Sequence, residues 1–242
     1  MYELKICHLY PDLMRSSGDR GSLIALYKRC QWRGIEVRVS NISINDPLNY
    51  NDYDIFFIGG GQAFEQSIIK EDLNEGKKHE IIEAIEAHKI FFAVCGGFQL
   101  LGKYYRNSSD QETECIGALD IWTHECDTRL VGNLVFEVDF LSEQDKSLRG
   151  FENHSGKIYL GKGVKPLGQI VTGHGNNGQD GHEGARYKNT FCTNSHGSLL
   201  PTNPAFTDHL IMLSLLNKYP DFQGLTPLNN ELENRARTQG DG

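Results

Sequence analysis

One of the six cysteines in the sequence stands where an apolar strand turns directly into a helix. The segment reads Phe91-Phe-Ala-Val-Cys95-Gly96-Gly97, and residues typical of a helix follow it. This is the strand–turn–helix pattern of a nucleophile elbow, with cysteine in the reactive position. Small neighbours are required because the turn is strained and the helix start lies close to the strand. The N–H groups of the helix N-terminus can stabilise a thiolate and an oxyanion, so the pattern predicts that Cys95 is a nucleophile.

A second glycine run is expected beside this cysteine. Gly59-Gly60-Gly61 directly follows the apolar run at residues 54–58. The carboxyl ends of parallel strands meet at one edge of a sheet, which is where the active sites of such sheets form. We therefore expect the backbone N–H groups of Gly60 and Gly96 to form an oxyanion hole.

A catalytic thiol needs a base, and His196 is the best placed of the nine histidines. It lies just past a predicted strand at residues 188–192 and before Pro201, which puts it at the same sheet edge as Cys95. An imidazole there can take the proton of the thiol. The other histidines have the surroundings of surface or loop residues.

The elements that would position these residues alternate as in α/β proteins. Predicted strands of the first half lie at residues 4–9, 35–39, 54–58 and 89–94, with helices at 19–33 and 80–88. This order predicts a doubly wound, mostly parallel sheet flanked by helices. Further strands at 130–140, 150–160, 167–172 and 188–192 add antiparallel strands in the second half, before a last helix at 206–219. One domain, residues 1–220, covers these elements, and we expect the polar tail 221–242 to be loosely packed.

Composition excludes several classes of function. The chain has 242 residues, with 24 Lys and Arg against 32 Asp and Glu, a net charge of −8. Nucleic-acid binders normally have a basic surplus, so no nucleic-acid partner is expected. The apolar runs are far shorter than the roughly 20 residues that span a bilayer, so no integral membrane segment is expected. Scattered cysteines without a C-x-x-C pair and without an export signal indicate reduced thiols and a cytoplasmic protein.

Two other segments have the residue types of binding sites without the expected pattern. Residues 97–104 almost fit the phosphate-loop pattern, but Tyr104 stands where a small hydroxyl should bind magnesium, and the intervening residues favour a helix. His174, Asp180, His182 and Glu183 are metal-ligand types, but their Gly- and Asn-rich surroundings are typical of a flexible hairpin loop. No metal site and no nucleotide site are predicted in this chain.

The elbow also carries a family resemblance. Cys95-Gly-Gly-Phe-Gln-Leu-Leu-Gly102 resembles the nucleophile motif of class I glutamine amidotransferases, which have a flavodoxin-like fold. The usual His-x-Glu pair of that class is not matched, because Gly197 and then a serine follow His196. That departure is typical of the cobyric acid synthase-like branch. The residue that orients His196 therefore stays open, and a partner subunit could supply the acid.

Within that branch, most of the chain, roughly residues 3–218, resembles the glutaminase subunits of lipid II isoglutaminyl synthases. The matching segments are residues 18–21, 54–61, 128–132, 150–156, 173–177 and 187–189. The resemblance implies that L-glutamine is hydrolysed through a cysteine thioester. It also implies a heterodimer in which ammonia passes to a Mur-ligase-related partner resembling MurT. That partner would amidate the D-glutamate of lipid II in peptidoglycan synthesis, with ATP and magnesium bound to it and no cofactor in this chain.

The resemblance also implies further site residues. It places Arg129 against the substrate carboxylate, which a guanidinium binds through paired hydrogen bonds, and it adds Gly61 and Gln99 to the glutamine site. Glu152 and His154 either lie at the edge of the site or only order a turn. Asp19 either serves the partner interface or merely begins the first helix.

Two other functions stay open. The chain could be the glutaminase of another synthetase, such as one that amidates a corrinoid carboxylate. It could also be a non-catalytic binding module on an amidotransferase fold, although the pair of Cys95 and His196 argues against this.

Overall fold

The computed structural model describes residues 1–14, 19–61, 63–197 and 199–239. The strands are β1 (Glu3–Leu9), β2 (Glu36–Ile42), β3 (Ile55–Ile58), β4 (Ile90–Val94), β5 (Tyr104–Arg106), β6 (Glu112–Glu114), β7 (Ile121–Glu137), β8 (Ser147–Leu160), β9 (Gly168–Thr172), β10 (His182–Glu183), β11 (Ala185–Tyr187), β12 (Thr190–Thr193) and β13 (Ser195–His196). The helices are α1 (Arg20–Gln31), α2 (Ala63–Asp72), α3 (Lys78–Glu86), α4 (Gly96–Leu100), α5 (Leu199–Thr202), α6 (Pro204–Lys218) and α7 (Glu231–Gln239).

The first sheet has the strand order β11-β12-β4-β3-β1-β2. Its strands pair in parallel except β11, which runs antiparallel at one edge. Every residue of β3 and β4 is buried, as expected for central strands that are covered on both faces. Phe56 stacks on Phe91 and Phe57 on Phe92 across these two strands, with ring centroids 5.6 and 6.0 Å apart. The predicted doubly wound, mostly parallel sheet is confirmed.

The antiparallel strands of the second half form a second sheet. Its longest pair is β7 with β8, and β9, β10, β5 and β6 extend it. β13 joins the edge of β8, where Ser195 pairs with Glu152 and His196 with Phe151. Because β12 belongs to the first sheet and β13 to the second, the segment before His196 connects the two sheets.

Two apolar clusters cover the two faces of the first sheet. One packs α1 and α6 against one face and includes Leu26, Phe206 and Leu210. The other lies under α3 and α4 and includes Ile81 and Phe98. This arrangement places the carboxyl ends of β3 and β4 at an edge between the helical layers, where the elbow lies.

Three sequence expectations need correction. Helix α2 was not predicted, and a π-helical turn at Leu73–Lys77 links it to α3. The Gly- and Asn-rich segment is not a flexible loop, because Asn176 and Glu183 are fully buried within it. The tail is packed in part, since Phe222 is buried and Glu233 of α7 bonds to Arg29, while Leu232 stays exposed. Arg29 is itself buried, and the tail supplies polar partners that such a charge needs.

Across the described ranges, no helix is long and apolar enough to cross a membrane.

Candidate active site

The turn between β4 and α4 holds Cys95 in a strained conformation. Its φ is 46° and its ψ −104°, which non-glycine residues rarely adopt. An added Cβ on Gly96 would overlap the Gly61 carbonyl oxygen and lie 2.7 Å from the Gly61 nitrogen. One on Gly97 would lie 2.8 Å from the Gly59 oxygen. The predicted elbow is therefore present, and its glycines are required by backbone contacts with the neighbouring loop.

The elbow is tied to the neighbouring strand. The Cys95 N–H donates to the Thr193 carbonyl oxygen at 2.8 Å, and the Gln99 N–H donates to the Cys95 oxygen at 2.9 Å. The Cys95 side chain is half-buried. The thiol is thus held by backbone bonds on both sides while it keeps access to solvent.

His196 faces Cys95, as the sequence predicts. The ring nitrogen Nδ1 lies 3.2 Å from Asp19 Oδ1, and Cys95 is close enough to act on the ring through hydrogen bonding and through its charge. Burial lowers the pKa of His196, but hydrogen bonds to Asp19 and Cys95 and the charges of both groups raise it more, to about 10. The raised pKa therefore favours the imidazole that has accepted a proton, and it lies between Asp19 and the Cys95 thiol from which that proton can come.

Asp19 contacts His196, the residue whose orienting group sequence reasoning left open. Its carboxylate is buried, and it accepts from His196 through Oδ1 and from the Gly60 N–H at 2.8 Å through Oδ2. α1 begins at the next residue, yet the Asp19 side chain makes no capping hydrogen bond to it. Of the matching segment at residues 18–21, Gly18 lies outside the described residues. Asp19 therefore does more than begin the helix, because it contacts both His196 and the glycine loop.

The glycine loop after β3 differs in detail from the expected oxyanion hole. The Gly60 N–H is engaged by Asp19. Gly61 is the residue of this loop whose backbone nitrogen approaches Gly96. The N–H of Gly60 has an acceptor within the chain, so Gly61 and Gly96 are the better placed pair.

A pair of glutamines fixes this loop against the elbow. Gln66 donates through Nε2 to the Gly61 oxygen at 3.1 Å and to Gln99 Oε1 at 3.0 Å. Gln99 is buried on α4 one turn after Cys95. Sequence reasoning missed Gln66 because it lies on the helix α2 that was not predicted, and no local motif marks it.

Arg129 contacts other residues than those around Cys95 and His196. It is exposed, in a stretch of β7 where the pairing with β8 shifts register between Glu125 and Leu130. Its guanidinium donates to the side-chain and backbone oxygens of Asn153. Within the described part of the chain, no contact joins it to Cys95 or His196.

Glu152 and His154 are buried beside β13. Glu152 accepts from the N–H groups of His174 at 2.6 Å and Gly175 at 2.8 Å. His154 Nε2 lies 3.8 Å from Glu152 Oε2, and its Nδ1 lies 2.9 Å from the Gly156 oxygen. The two side chains therefore form an internal polar network next to the strand of His196 rather than ordering an exposed turn.

Access to His196 is open on the side of the second sheet. A cavity of about 190 Å³ reaches it. Phe151 and Gly197 line one side of the cavity, and Ala236 and Arg237 of α7 line another. Among the described residues, no three His, Cys, Asp or Glu side chains are grouped so that they could hold a metal ion.

Comparisons with known proteins agree with this geometry. The family of CobB/CobQ-like glutamine amidotransferase domains matches residues 5–204. The GatD subunit of a lipid II isoglutaminyl synthase (glutamine-hydrolyzing) from Streptococcus pneumoniae is 40% identical over 220 residues, which cover 90% of this chain and 83% of that protein. The GatD subunit from Staphylococcus aureus is 37% identical over 239 residues, which cover 99% of this chain and 93% of that protein.

More distant proteins share the fold. A probable cobyric acid synthase from Methanothermobacter thermautotrophicus is 29% identical over 189 residues, which cover 66% of this chain and 36% of that protein. The crystal structure of a glutamine amidotransferase from Thermotoga maritima superposes with a TM-score of 0.56 at 12% identity, covering 99% of this chain and 94% of that one. PurLQS from the same organism gives 0.53 at 20% identity, covering 89% and 98%. At such identities the likeness concerns the fold.

Proposed function

The chain belongs to the CobB/CobQ-like glutamine amidotransferase family, and from this premise we propose that it is the glutaminase subunit of a lipid II isoglutaminyl synthase. The observation that carries the proposal is the alignment of Cys95, His196 and Asp19 at the end of the first sheet. A thiol, a base and an orienting acid in this order are the parts of a cysteine amide hydrolase.

The first chemical step is attack on the side-chain amide of L-glutamine. The Cys95 sulfur, its proton transferred to His196, forms a bond to the amide carbon. The oxygen of the tetrahedral intermediate accepts hydrogen bonds from the N–H groups of Gly96 and Gly61, while the Gly60 N–H remains bonded to Asp19. His196 then protonates the amide nitrogen, the carbon–nitrogen bond breaks, and ammonia leaves a glutamyl thioester on Cys95.

The second step returns the enzyme to its starting state. A water molecule replaces ammonia, His196 takes one of its protons, and the oxygen attacks the thioester carbon. The carbon–sulfur bond breaks, and His196 returns the proton to the leaving sulfur. Glutamate is released, and no net proton is left on the protein. Asp19 keeps the imidazole in one orientation during both transfers.

In this proposal, substrate binding uses residues beside the elbow together with Arg129, which lies farther away on β7. Arg129 is exposed, so its guanidinium is accessible to the α-carboxylate of glutamine. Gly61 and Gln99 lie on the two segments that Gln66 joins, on either side of the thiol. Glu152 and His154 support the neighbouring strand and do not contact the substrate in this proposal.

The ammonia serves a separate ligase subunit. Residues 97–104, which resemble a phosphate loop, form most of α4 and the start of β5 instead of an open loop. We therefore assign ATP and magnesium to a MurT-like partner in a cytoplasmic heterodimer. There the α-carboxyl of the D-glutamate in lipid II would be activated by ATP and then amidated.

Transfer of a labelled nitrogen tests this function. The chain is co-purified with a Mur-ligase-related subunit and supplied with ATP, lipid II and glutamine labelled with nitrogen-15 in the side-chain amide. We expect the label in the stem peptide, detected by mass spectrometry. A complex that hydrolyses glutamine yet leaves lipid II unlabelled would contradict the assigned acceptor.

The same preparation addresses the alternative. The likeness to a probable cobyric acid synthase favours a corrinoid carboxylate as the second candidate acceptor. That enzyme would require a dethiobiotin-synthetase-like partner. Stable co-purification with such a partner, and none with the Mur-ligase-related subunit, would favour the corrinoid reaction.

A further inference from the structure

A buried carboxylate outside the catalytic centre bonds to the segment that carries His196. Glu183 is fully buried, although its surroundings in the sequence are typical of a flexible loop. Its Oε1 accepts from the Thr193 hydroxyl at 2.6 Å and from the Asn194 N–H at 2.8 Å. Thr193 ends β12 and Asn194 links it to β13, which carries His196.

The groups that Glu183 holds are in turn bonded to Cys95 and to the residue before His196. The Thr193 carbonyl oxygen accepts the Cys95 N–H at 2.8 Å. The Thr193 hydroxyl accepts the Ser195 N–H at 2.9 Å, and Ser195 is the residue next to His196. Glu183 therefore fixes one short segment that contacts the nucleophile through its backbone and leads directly into the base.

The Gly- and Asn-rich segment holds Glu183 rigidly in this place. Asn176 bonds to the neighbouring Gly184 twice, accepting its N–H at 2.8 Å and donating to its oxygen at 2.8 Å. The Asn176 side-chain oxygen also accepts from Asn194 Nδ2 at 3.0 Å. The Asn176 side chain thus makes the two hydrogen bonds that a neighbouring strand would make to Gly184. Together with the bond from Asn194, these bonds enclose Glu183.

Burial of this carboxyl carries a cost that the local bonds only partly offset. Burial raises the pKa of Glu183, while the bonds from Thr193 and Asn194 lower it. Its Oε2 has no hydrogen-bond partner among the described residues. An unpartnered buried polar atom costs about 1–3 kcal/mol, so only the Oε1 side of the carboxylate supports the fold.

We propose that Glu183 is a positioning residue that sets the distance between Cys95 and His196 by fixing the Thr193–Ser195 segment. This inference rests on the proposed function, since it assumes that these two residues form the catalytic pair. It assigns a purpose to a residue that touches neither substrate nor reacting atoms. The chemistry of the site then depends on a side chain from the second sheet, across the link at β12 and β13.

The test measures how fast Cys95 is alkylated by iodoacetamide as a function of pH, in the full chain and without glutamine. Mass spectrometry of the Cys95 peptide gives the rate, and the half-buried Cys126 is an internal reference. A protonated histidine beside a thiol stabilises the thiolate, so an intact pair favours alkylation at the lower pH. In Glu183→Ala, we expect the ratio of the rates at pH 6.5 and pH 9 to fall about tenfold, because the pair separates.

Two further variants separate positioning from a general loss of stability. Glu183→Gln keeps an oxygen acceptor for Thr193 and Asn194, so its rate ratio should stay within about twofold of wild type. Asp54→Ala is the matched control, because Asp54 also accepts a backbone N–H, that of Lys5 at 2.8 Å, but lies at the opposite end of the first sheet. We expect Asp54→Ala to lower the unfolding temperature and leave the rate ratio unchanged.

The outcomes are decisive for this inference and separate from those for the function. A folded Glu183→Ala with the wild-type ratio, or an Asp54→Ala with the same change as Glu183→Ala, overturns the positioning role. Should Glu183→Ala not fold, Thr193→Val carries the test, because it removes one donor and keeps the shape. An unchanged ratio in that variant overturns the proposal. Failure of the proposed function would show instead as a Cys95→Ala variant that keeps the full glutaminase activity of the wild type.

Discussion

At the scale of single residues, the site depends on the buried carboxylate of Asp19, which accepts hydrogen bonds from two different parts of the site. Asp19 accepts from the His196 ring and from the Gly60 N–H, so the same side chain orients the base and fixes the glycine loop. A single substitution there should disturb both. We expect the loss of the Asp19 charge to affect function mainly through His196, because Asp19 is one of the groups that raise the pKa of that histidine to about 10.

Asp19→Asn should lower turnover by about 10²-fold or more, because the imidazole loses both its orienting charge and its fixed tautomer. The measurement is kcat for glutamine hydrolysis in the complex with the ligase subunit. A kcat within about threefold of wild type would remove Asp19 from the catalytic centre.

We expect the effect of Asp19→Asn on the free energy of unfolding to depend on pH. The pKa of His196 is raised above the ordinary histidine value of 6.5, so its stabilising effect is complete below about pH 6.5 and is lost as the pH rises towards about 10. The difference in the free energy of unfolding between wild type and Asp19→Asn should therefore be largest below pH 6.5 and shrink towards pH 10. Urea unfolding at several pH values measures it. A difference that grows with pH would have the wrong sign for this pair.

Residue-scale sequence reasoning depends on signals that are local in the chain. Cys95 could be found because its glycines and its strand are adjacent in the chain. His196 required only the general rule that strand ends meet at one sheet edge. The role of Asp19 could not be found, because its contact with His196 joins residues 177 positions apart and depends on the packing of α1.

At the scale of elements, the elbow and the glycine loop after β3 form one unit. Gly96 touches the Gly61 backbone, and Gln66 of α2 bonds to both Gly61 and Gln99. The geometry of the thiol is therefore sensitive to volume changes in this narrow contact. α2 escaped prediction because its apolar side chains form no clear stripe in the sequence, although its place is essential to the contact.

Gly96→Ala should abolish most activity, because the added methyl group overlaps backbone atoms of Gly61 that cannot move without moving the loop. We expect a loss in kcat of about 10²-fold or more, with the far-ultraviolet circular dichroism of a folded protein. Gly76→Ala is the matched control, since an added Cβ there meets nothing within 4 Å. It should keep full activity and gain about 0.5–1 kcal/mol of stability, because Gly76 lies in a helical turn. Equal activities of the two variants would contradict the tight-contact interpretation.

The Gly- and Asn-rich segment shows why composition misled at this scale. Glycine and asparagine are common in flexible loops, yet here Asn176 bonds to Gly184 as a strand would. Glycines of the segment adopt left-handed conformations, such as Gly175 with φ 64°. At Gly175 the backbone also packs so closely against His182 that a side chain would not fit. Long-range pairing gave the segment its order, and no local pattern encodes such pairing.

At the scale of the whole molecule, two sheets and the tail converge on the histidine. β12 belongs to the first sheet and β13 to the second, while Ala236 and Arg237 of α7 line the cavity that reaches His196. The fold class could be predicted from the order of the elements. The packing of the tail could not, because it depends on the buried charge of Arg29 in α1 rather than on any apolar stripe in the tail.

Charge pairing between α1, α6 and the tail should dominate the stability of this region. Asp208 accepts two bonds from each of Arg29 and Arg33, and Arg29 is buried. Asp208→Ala should lower the free energy of unfolding by about 3–5 kcal/mol, since it leaves a buried charge without its main partner. Glu233→Ala, the control, removes one contact at 3.3 Å and should cost about 1 kcal/mol or less. Urea unfolding of both variants checks the order, and a larger loss for Glu233→Ala would contradict it.

The central claim, that this chain releases ammonia from glutamine through Cys95, is tested most directly by one assay. Ammonia release is measured for the wild type and for Cys95→Ala, each in complex with the ligase subunit. We expect the wild type to release ammonia and the variant to fall to the rate of the assay without protein, because the variant lacks the thiol that forms the thioester. Equal release by the two proteins would contradict the claim.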